Sequence, residues 1–262
     1  MKNLVEIYEY REMIFSLVHR DLRGRYKGSV LGFFWTFLNP LLQLMVYTMV
    51  FSVILKNGIE EYYIFLFVAL VPWIFFSSCL TGGSTCVLSH QNMVKKIYFP
   101  REVLPISYVL STFINMILSF LVVFAVLIFS GFGVNPKALL YLPVIMLIEL
   151  LLALGITFLT SSLCIYFRDI QYILAILSMA WQFFTPIVYK PEQVEGALPD
   201  NLYKLWKLNP MNPITIAYRQ ILYYKQTPDM RTLGEAVVFG MIFLVVGYVV
   251  YRQLQRGFAE EL

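Results

Sequence analysis

Long segments without a charged residue recur along this chain, and they limit its fold more than any other feature. Residues 29–55, for example, contain no Asp, Glu, Lys or Arg. A helix of roughly 20 apolar residues can cross a bilayer core of about 30 Å, because its backbone hydrogen bonds are satisfied within the helix. The sequence therefore predicts six transmembrane helices. Their approximate ranges are 30–55, 62–88, 106–129, 139–167, 170–189 and 233–251.

The composition favours a membrane protein over a soluble one. Hydrophobic residues make up 59% of the chain and charged residues 14%, and the mean hydropathy is +0.70. Soluble domains carry about 25% charged residues on average. We predict an all-α integral membrane protein with a single transmembrane domain over residues 1–262. The net charge of +4 does not indicate a nucleic-acid partner, because the basic residues cluster at the borders of apolar segments.

Residues 1–28 are predicted to form an amphipathic cytosolic helix along the membrane surface, although the pattern also fits an ordinary surface helix. Its apolar face is Leu4, Ile7, Tyr8, Phe15, Val18 and Leu22. Its basic cluster is Arg20, Arg23, Arg25 and Lys27. Each basic residue gains about 1 kcal/mol near anionic headgroups, so we expect this cluster at the cytosolic interface.

Two longer polar segments separate the predicted spans. Residues 90–105 are basic and contain two prolines, which predicts a loop with a short helix outside the bilayer. Residues 190–232 are rich in Pro, Asn, Tyr, Lys and Glu, yet keep short apolar pieces. This pattern predicts a pair of re-entrant or interfacial helices before the last span. Within the spans, Pro40 and Pro143 are expected to kink their helices.

The distribution of basic residues predicts the orientation. Six spans place both termini on one side. If that side is the cytosol, its basic residues are Lys2, Arg11, Arg20, Arg23, Arg25, Lys27, Lys95, Lys96, Arg101, Arg168, Arg252 and Arg256. The two short loops on the other side hold Lys56 and Lys137. The long segment 190–232, also on that side, holds six more basic residues, which weakens the asymmetry without reversing it. The positive-inside rule then favours cytosolic termini in a multi-pass protein of the cytoplasmic (inner) membrane.

The sequence shows no familiar catalytic motif. The phosphate-binding pattern G-x-x-x-x-G-K-[ST] does not occur, so we do not expect this chain to hydrolyse ATP alone. The patterns H-E-x-x-H, C-x-x-C and G-x-S-x-G do not occur either. We expect no catalytic residue, metal site or cofactor in this chain, and its three cysteines are interpreted as buried helix residues.

Glu149 is the one ionisable residue deep within a predicted span. Such a residue is a functional candidate, because burying it in a membrane costs free energy. It lines a polar path, or it is a neutral or partnered side chain that fixes helix packing; the sequence leaves both interpretations open.

Several large aromatic residues also lie in the spans, and they are candidates for lining a channel. They are Trp35, Trp73, Trp181, Phe183 and Phe184. Sugars present apolar C–H faces that rest on aromatic rings, which favours this interpretation. The alternative is that these rings form lipid-facing belts or pack in the protein core.

Five segments together resemble the permease subunits of type-two ATP-binding-cassette (ABC) exporters. The first is RYKGSVLGFFWTFLNPLLQLMVYTMVF, residues 25–51. The others are residues 71–105, YFRDIQY at 166–172, FFTPIVY at 183–189 and LNPMNPI at 208–214. Their order extends over nearly the whole chain, and the nearest branch handles O-antigen, capsule and teichoic-acid-like polysaccharides.

This resemblance implies a homodimer of six-span subunits that exports a lipid-linked polysaccharide. It implies two separate ATPase subunits on the cytosolic side, which would bind the ATP and Mg²⁺. Residues 90–105, here called the coupling loop, would contact the ATPase. The candidate coupling residues are Lys95, Lys96 and Arg101. Residues 190–232 would gate an external exit, with candidate gate residues Pro210, Pro213 and Tyr218.

Two other functions remain open from the sequence. The first is an ABC exporter of drugs or small lipids on the same scaffold. The second is a membrane enzyme that acts on lipid-linked sugars without ATP. The enzyme would need acid–base residues near a polar face, and Glu149 alone supports it only thinly, because general catalysis usually needs a positioned partner.

Overall fold

The computed structural model describes the backbone of residues 2–24, 28–54 and 58–262, and their side chains except those of 2–5 and 259. Every regular element in these ranges is a helix. Within them, five helical segments are long and apolar enough to cross a membrane. They are Gly32–Ile54, Tyr62–Thr85, Val103–Phe129, Pro136–Tyr166 and Met230–Gly257. The all-α membrane class and five of the predicted spans are confirmed.

The α-helices of the described residues follow the predicted order of spans and loops. They are α1 (Lys2–Glu9), α2 (Arg11–Gly24), α3 (Trp35–Thr48), α4 (Tyr62–Thr81), α5 (Gln91–Lys96), α6 (Val103–Phe129), α7 (Pro136–Leu139), α8 (Leu142–Tyr166), α9 (Ile170–Phe184), α10 (Asp200–Lys207), α11 (Met211–Leu222), α12 (Met230–Leu254) and α13 (Phe258–Glu261). The short helix expected in the coupling loop is α5. The helix pair expected before the last span is α10 and α11.

The fifth predicted span, residues 170–189, is not confirmed. Helix α9 has 15 residues, which corresponds to about 22 Å and is shorter than the bilayer core. The helix ends because Thr185 adopts an extended backbone with ψ 138°. Thr185 precedes Pro186, and a residue before proline is disfavoured in the helical conformation.

Prolines shape two other spans. Pro40 lies inside α3, and this span ends in a π-helical stretch at Met49–Ile54. In the fourth span the helix is interrupted by a turn at residues 140–141, between α7 and α8. Pro143 lies in the first turn of α8, where its missing N–H costs no hydrogen bond. The irregularity expected near Pro143 is therefore a break just before it.

Helix α4 is the centre of the packed core. In its most apolar 18-residue stretch, 78% of the residues are buried within the single chain. Gly83, just beyond α4, lies against α8, and a Cβ atom there would be 2.9 Å from Thr157 Cγ2. Small residues permit such close approach between helices in lipid.

Helices α8 and α12 form the closest helix pair, and glycines permit the contact. A Cβ atom on Gly247 would lie 2.0 Å from the Gly155 carbonyl oxygen. A Cβ atom on Gly155 would lie 2.3 Å from the Phe243 carbonyl carbon. Because both obstacles are backbone atoms, neither position accepts a larger side chain without separating the two helices.

The apolar face predicted for the N-terminal helices is divided between the protein and the outside. Ile14, Leu17 and Val18 of α2 are buried and join a cluster that includes Phe99 and Val103. Tyr8 and Phe15 are each 67% exposed. The predicted apolar face is therefore divided, since Val18 packs on protein while Tyr8 and Phe15 point away from it.

Two regions that matter for function lie at opposite ends of α4. Tyr62 begins α4, and its hydroxyl donates a hydrogen bond to the Val188 carbonyl at 3.1 Å. Helix α5 follows the other end of α4. A helix of 20 residues is about 30 Å long, which is about the thickness of a bilayer core. Near its start the Phe65 carbonyl accepts a hydrogen bond from Arg219 of α11, so this part of α11 lies at the end of α4 away from the coupling loop.

Candidate functional site

The coupling loop presents a partly basic surface held on buried apolar anchors. Val94 and Phe99 are 7% and 5% exposed and belong to the same cluster as α2. Lys95 and Lys96 are exposed at the end of α5, and Tyr98 is 84% exposed. This loop borders a groove of about 610 Å³.

Arg101 differs from the two lysines because it points into the protein. Its Nη1 donates a hydrogen bond to the Gln255 carbonyl, and its guanidinium lies 5.9 Å from the Phe258 ring centroid. The three predicted coupling residues therefore have two different surroundings. Lys95 and Lys96 are available on the surface, whereas Arg101 contacts the C-terminal segment.

The structure describes two residues of the predicted basic cluster, Arg20 and Arg23. Arg20 and Arg23 are exposed on α2, and Arg20 Nη2 forms a hydrogen bond with His90 Nε2. Arg25 and Lys27 lie outside the described residues. Arg20 thus connects the N-terminal helix to the segment that leads into α5.

A buried polar pair links α11 to α8. Tyr218 is 0% exposed, and so is Glu149 of α8. The Tyr218 hydroxyl donates a hydrogen bond to Glu149 Oε2 at 2.7 Å. Glu149 Oε1 has no hydrogen-bond partner among the described residues. Glu149 therefore joins α8 to α11, as expected for a residue that fixes packing, and the candidate gate residue Tyr218 is its partner.

Arg219 follows Tyr218 and connects α11 to different elements. It is 2% exposed and donates to the carbonyls of Phe65 at 3.3 Å, Tyr189 at 3.2 Å and Ile187 at 2.5 Å. Its guanidinium also lies 3.5 Å from the Phe65 ring centroid. Burial lowers the pKa of Arg219 to about 9, so the side chain stays protonated near neutral pH.

The junction between α9 and α11 depends on Asn209. Its Oδ1 accepts from Trp181 Nε1 at 2.8 Å and from the Met211 N–H at 3.0 Å. Its Nδ2 donates to Thr185 Oγ1 at 2.9 Å. The candidate gate residues Pro210 and Pro213 are buried beside it, at the start of α11. This amide links the C-terminal end of α9 to the start of α11.

The candidate channel-lining rings do not form one continuous surface within the chain. Trp73 is 3% exposed and packs against Phe76, with ring centroids 5.6 Å apart. Trp181 packs against the same Phe76 ring at 5.4 Å. Phe183 is 49% exposed, whereas Phe184 and Trp181 line an apolar groove of about 450 Å³ between α9, α10 and α12.

Trp35 lies at a separate cavity of about 110 Å³ between α3, α4 and α6. Its Nε1 donates to Ser29 Oγ at 3.0 Å. Polar side chains line much of the cavity, including Thr36, Asn39 and Asn115. The cavity places polar groups within a stretch of apolar helices.

Sequence reasoning missed Arg219 and Asn209 as organising residues. Arg219 occurs in the apolar piece IAYRQILYY at 216–224, and this context was the available signal, because a charge there needs buried partners. Asn209 begins the repeated Asn-Pro pattern of residues 209–213. The partners of both residues are distant in sequence and carry no local pattern.

This chain is similar to known proteins along nearly its whole length. The ABC-2 type transporter family matches residues 12–223. The O-antigen export system permease protein RfbA of Myxococcus xanthus is 33% identical over 257 residues, which cover 98% of each chain. A protein of the same name from Klebsiella pneumoniae is 27% identical, over 96% of this chain and 95% of that one. The polysialic acid transport protein KpsM of Escherichia coli is 22% identical, over 92% of this chain and 93% of that one.

Proposed function

This chain belongs to the ABC-2 type transporter family, and on that premise we propose that it is the transmembrane subunit of an ATP-driven polysaccharide exporter. Its substrate would be a lipid-linked polysaccharide of the O-antigen or capsule type, or a related teichoic-acid-type polymer. It would cross the cytoplasmic membrane through a path built by this subunit. Membership of a transporter family favours a transport role over that of a membrane enzyme.

One observation carries the proposal. The chain is 33% identical to an O-antigen export permease across 98% of both proteins. Identity along the whole length includes the spans, the coupling loop and the α10–α11 pair together. A second polysaccharide transport protein, for polysialic acid, also aligns over more than nine-tenths of the chain.

The free energy for export would come from a partner. Membership of this family implies association with an ATPase subunit, and we propose that two copies, with bound ATP and Mg²⁺, dock at the coupling loop. Lys95 and Lys96 support this proposal because they are exposed beside a groove of about 610 Å³. A partner surface with acidic residues would complement them.

A continuous path for a polymer would need two copies of this chain. Helices α3 and α9 support a homodimer because both carry large exposed apolar side chains. On α3 and the π-helical end of its span these include Met45 and Met49. On α9 they include Ile176 and Phe183. Two such faces brought together would bury apolar surface and enclose a path, with the aromatic rings of α9 near its wall.

The α10–α11 pair is proposed as the external gate. Arg219 of α11 bonds to the Phe65 carbonyl near the start of α4, whereas the coupling loop follows the other end of this helix, which is about 30 Å long. This supports a position at the other membrane surface. Tyr218 and Arg219 anchor α11 to α8 and α4. Both termini would then be cytosolic, as the distribution of basic residues predicts.

Co-purification and export together test this function. The tagged chain, solubilised from its native membrane, is expected to bring one ATPase subunit per copy. A strain without the chain should lose its surface polysaccharide and regain it on complementation with the parent chain or with Arg231→Ala, a surface control in which Arg231 is 89% exposed. Surface polysaccharide that persists without any other exporter would contradict the proposal. Loss of drug resistance with normal polysaccharide would favour the drug-exporter alternative.

A further inference from the structure

The C-terminal segment of this chain contacts the end of the coupling loop, although the two segments are far apart in the sequence. Helix α12 ends at Leu254, and residues 255–257 form one further helical turn before Phe258. Four side-chain contacts from this segment converge on only two residues of the loop, Arg101 and Glu102.

Hydrogen bonds run in both directions between the two segments. The Tyr251 hydroxyl donates to the Arg101 carbonyl at 2.8 Å, and Arg101 Nη1 donates to the Gln255 carbonyl. Gln255 Nε2 donates to Glu102 Oε1 at 3.0 Å. Glu102 is 4% exposed, and bonds of this kind to a buried carboxylate are among the stronger ones in proteins.

Phe258 fixes the segment from the other side. It is 0% exposed, and its ring centroid lies 5.4 Å from that of Tyr251, in an edge-on arrangement. The Tyr166 hydroxyl donates to the Leu254 carbonyl at 2.8 Å. Gly257 is packed so closely that a Cβ atom there would lie 2.4 Å from the Tyr166 hydroxyl. The segment is therefore built into the core.

The same segment forms part of the exposed groove beside the loop. The groove is lined by residues 94–102 together with Glu6, Gln255 and Arg256. Arg256 is exposed and extends the positive charge of Lys95 and Lys96 around the groove. A partner that contacts the loop from this side would also contact the C-terminal turn.

We propose that residues 251–258 form a C-terminal brace that positions the coupling loop and completes the docking surface for the ATPase. Gln255 and Phe258 are its positioning residues. The docking half of the inference rests on the proposed function, whereas the bracing half does not. In this arrangement Arg101 acts inward through the brace, and Lys95, Lys96 and Arg256 face the partner.

Hydrogen–deuterium exchange on the purified full chain tests the brace directly. Gln255→Ala removes the bond to Glu102, and exchange at residues 97–104 is expected to rise about tenfold. The matched control is Gln253→Ala, because Gln253 is exposed near the end of α12, two residues before Gln255, and it should leave exchange unchanged. Phe258→Leu is a second variant that keeps an apolar side chain while removing the ring contacts. Unchanged exchange in both brace variants overturns the inference.

The complex with the ATPase tests the proposal that the brace completes the docking surface. Gln255→Ala should lower the amount of polysaccharide exported per ATP hydrolysed by several-fold, while total protein and thermal stability stay near those of Gln253→Ala. Arg256→Glu should weaken ATPase co-purification. If exchange rises but no ATPase co-purifies with the parent chain, the brace stands and the proposed function fails. If the ATPase co-purifies and both variants behave like the parent, the inference fails and the proposed function stands.

Discussion

Helices α3 and α4 are both apolar enough to span a membrane, but their surroundings are opposite. In the most apolar 18-residue stretch of each span, 78% of the residues of the α4 span are buried within the chain, against 11% for the α3 span. Both spans lack charged side chains. In water such a sequence would indicate a buried helix. In a membrane it indicates only that the helix avoids water, because lipid is as apolar as the protein core.

The difference between the two helices comes from their polar and aromatic contacts. The start of α4 is held by Tyr62 and by the guanidinium of Arg219. Its middle is held by Phe76, which packs against Trp73 and Trp181. Much of the α3 span instead presents flexible apolar side chains such as Met45 and Met49 to the outside. Burial of a span thus depends on specific contacts more than on hydrophobicity.

The largest effect is expected for a cavity in α4. Phe76→Ala removes a ring that is 0% exposed, and it should lower the free energy of unfolding by about 3 to 5 kcal/mol. Met49→Ala at the π-helical end of the α3 span is the matched change, and it should cost below about 0.5 kcal/mol because Met49 is 62% exposed. Thermal unfolding of the purified chains in detergent measures both. Equal decreases in the free energy of unfolding for the two variants would contradict the proposed difference between the two spans.

A smaller loss is expected when the polar contact to α4 is removed. Arg219→Leu leaves the carbonyls of Phe65, Ile187 and Tyr189 without this donor, which should cost about 2 kcal/mol. Arg231→Leu is the control, because that side chain is 89% exposed and paired with Glu235, and it should change stability little. The same unfolding measurement applies. If Arg219→Leu were as stable as the parent chain, Arg219 would not anchor α11 to α4.

The spans and their order could be predicted from the sequence because the membrane imposes a local requirement on every residue that crosses it. The short helix in the coupling loop and the α10–α11 pair followed from local composition as well. The contacts that organise these parts could not be predicted. Arg219 and Phe65 are 154 residues apart, and Arg101 and Gln255 are also 154 residues apart. Only the packed chain brings such partners together.

The length of α9 marks a second limit of the sequence pattern. Residues 170–189 contain no charge and satisfied the length expected of a span. The Thr185-Pro186 pair ended the helix after 15 residues, and the following residues turn to supply carbonyls to Arg219. Hydropathy does not distinguish an apolar turn from an apolar helix, whereas the proline was a signal that the helix would end.

The smallest change in stability is expected for substitutions on the exposed side of the span that contains α3. These positions also test directly whether two copies of the chain meet there. If that side faces a second copy of the chain, single cysteines at Met45, Met49 and Val53 should give a disulfide-linked dimer at one or more positions. These residues are 62% to 66% exposed, so their substitution should not unfold the chain. The native cysteines Cys79, Cys86 and Cys164 are buried and should not interfere.

Val245→Cys on α12 is the control for this experiment, because Val245 is 54% exposed and lies outside the dimer surface proposed for α3 and α9. In a symmetric dimer only residues near the two-fold axis meet their own copies. Cross-linking on α3 without cross-linking at Val245 would show that the poorly buried span is completed by a partner copy. Cross-linking at Val245 alone would move the dimer interface to α12, and α3 would then be buried by lipid and not by protein.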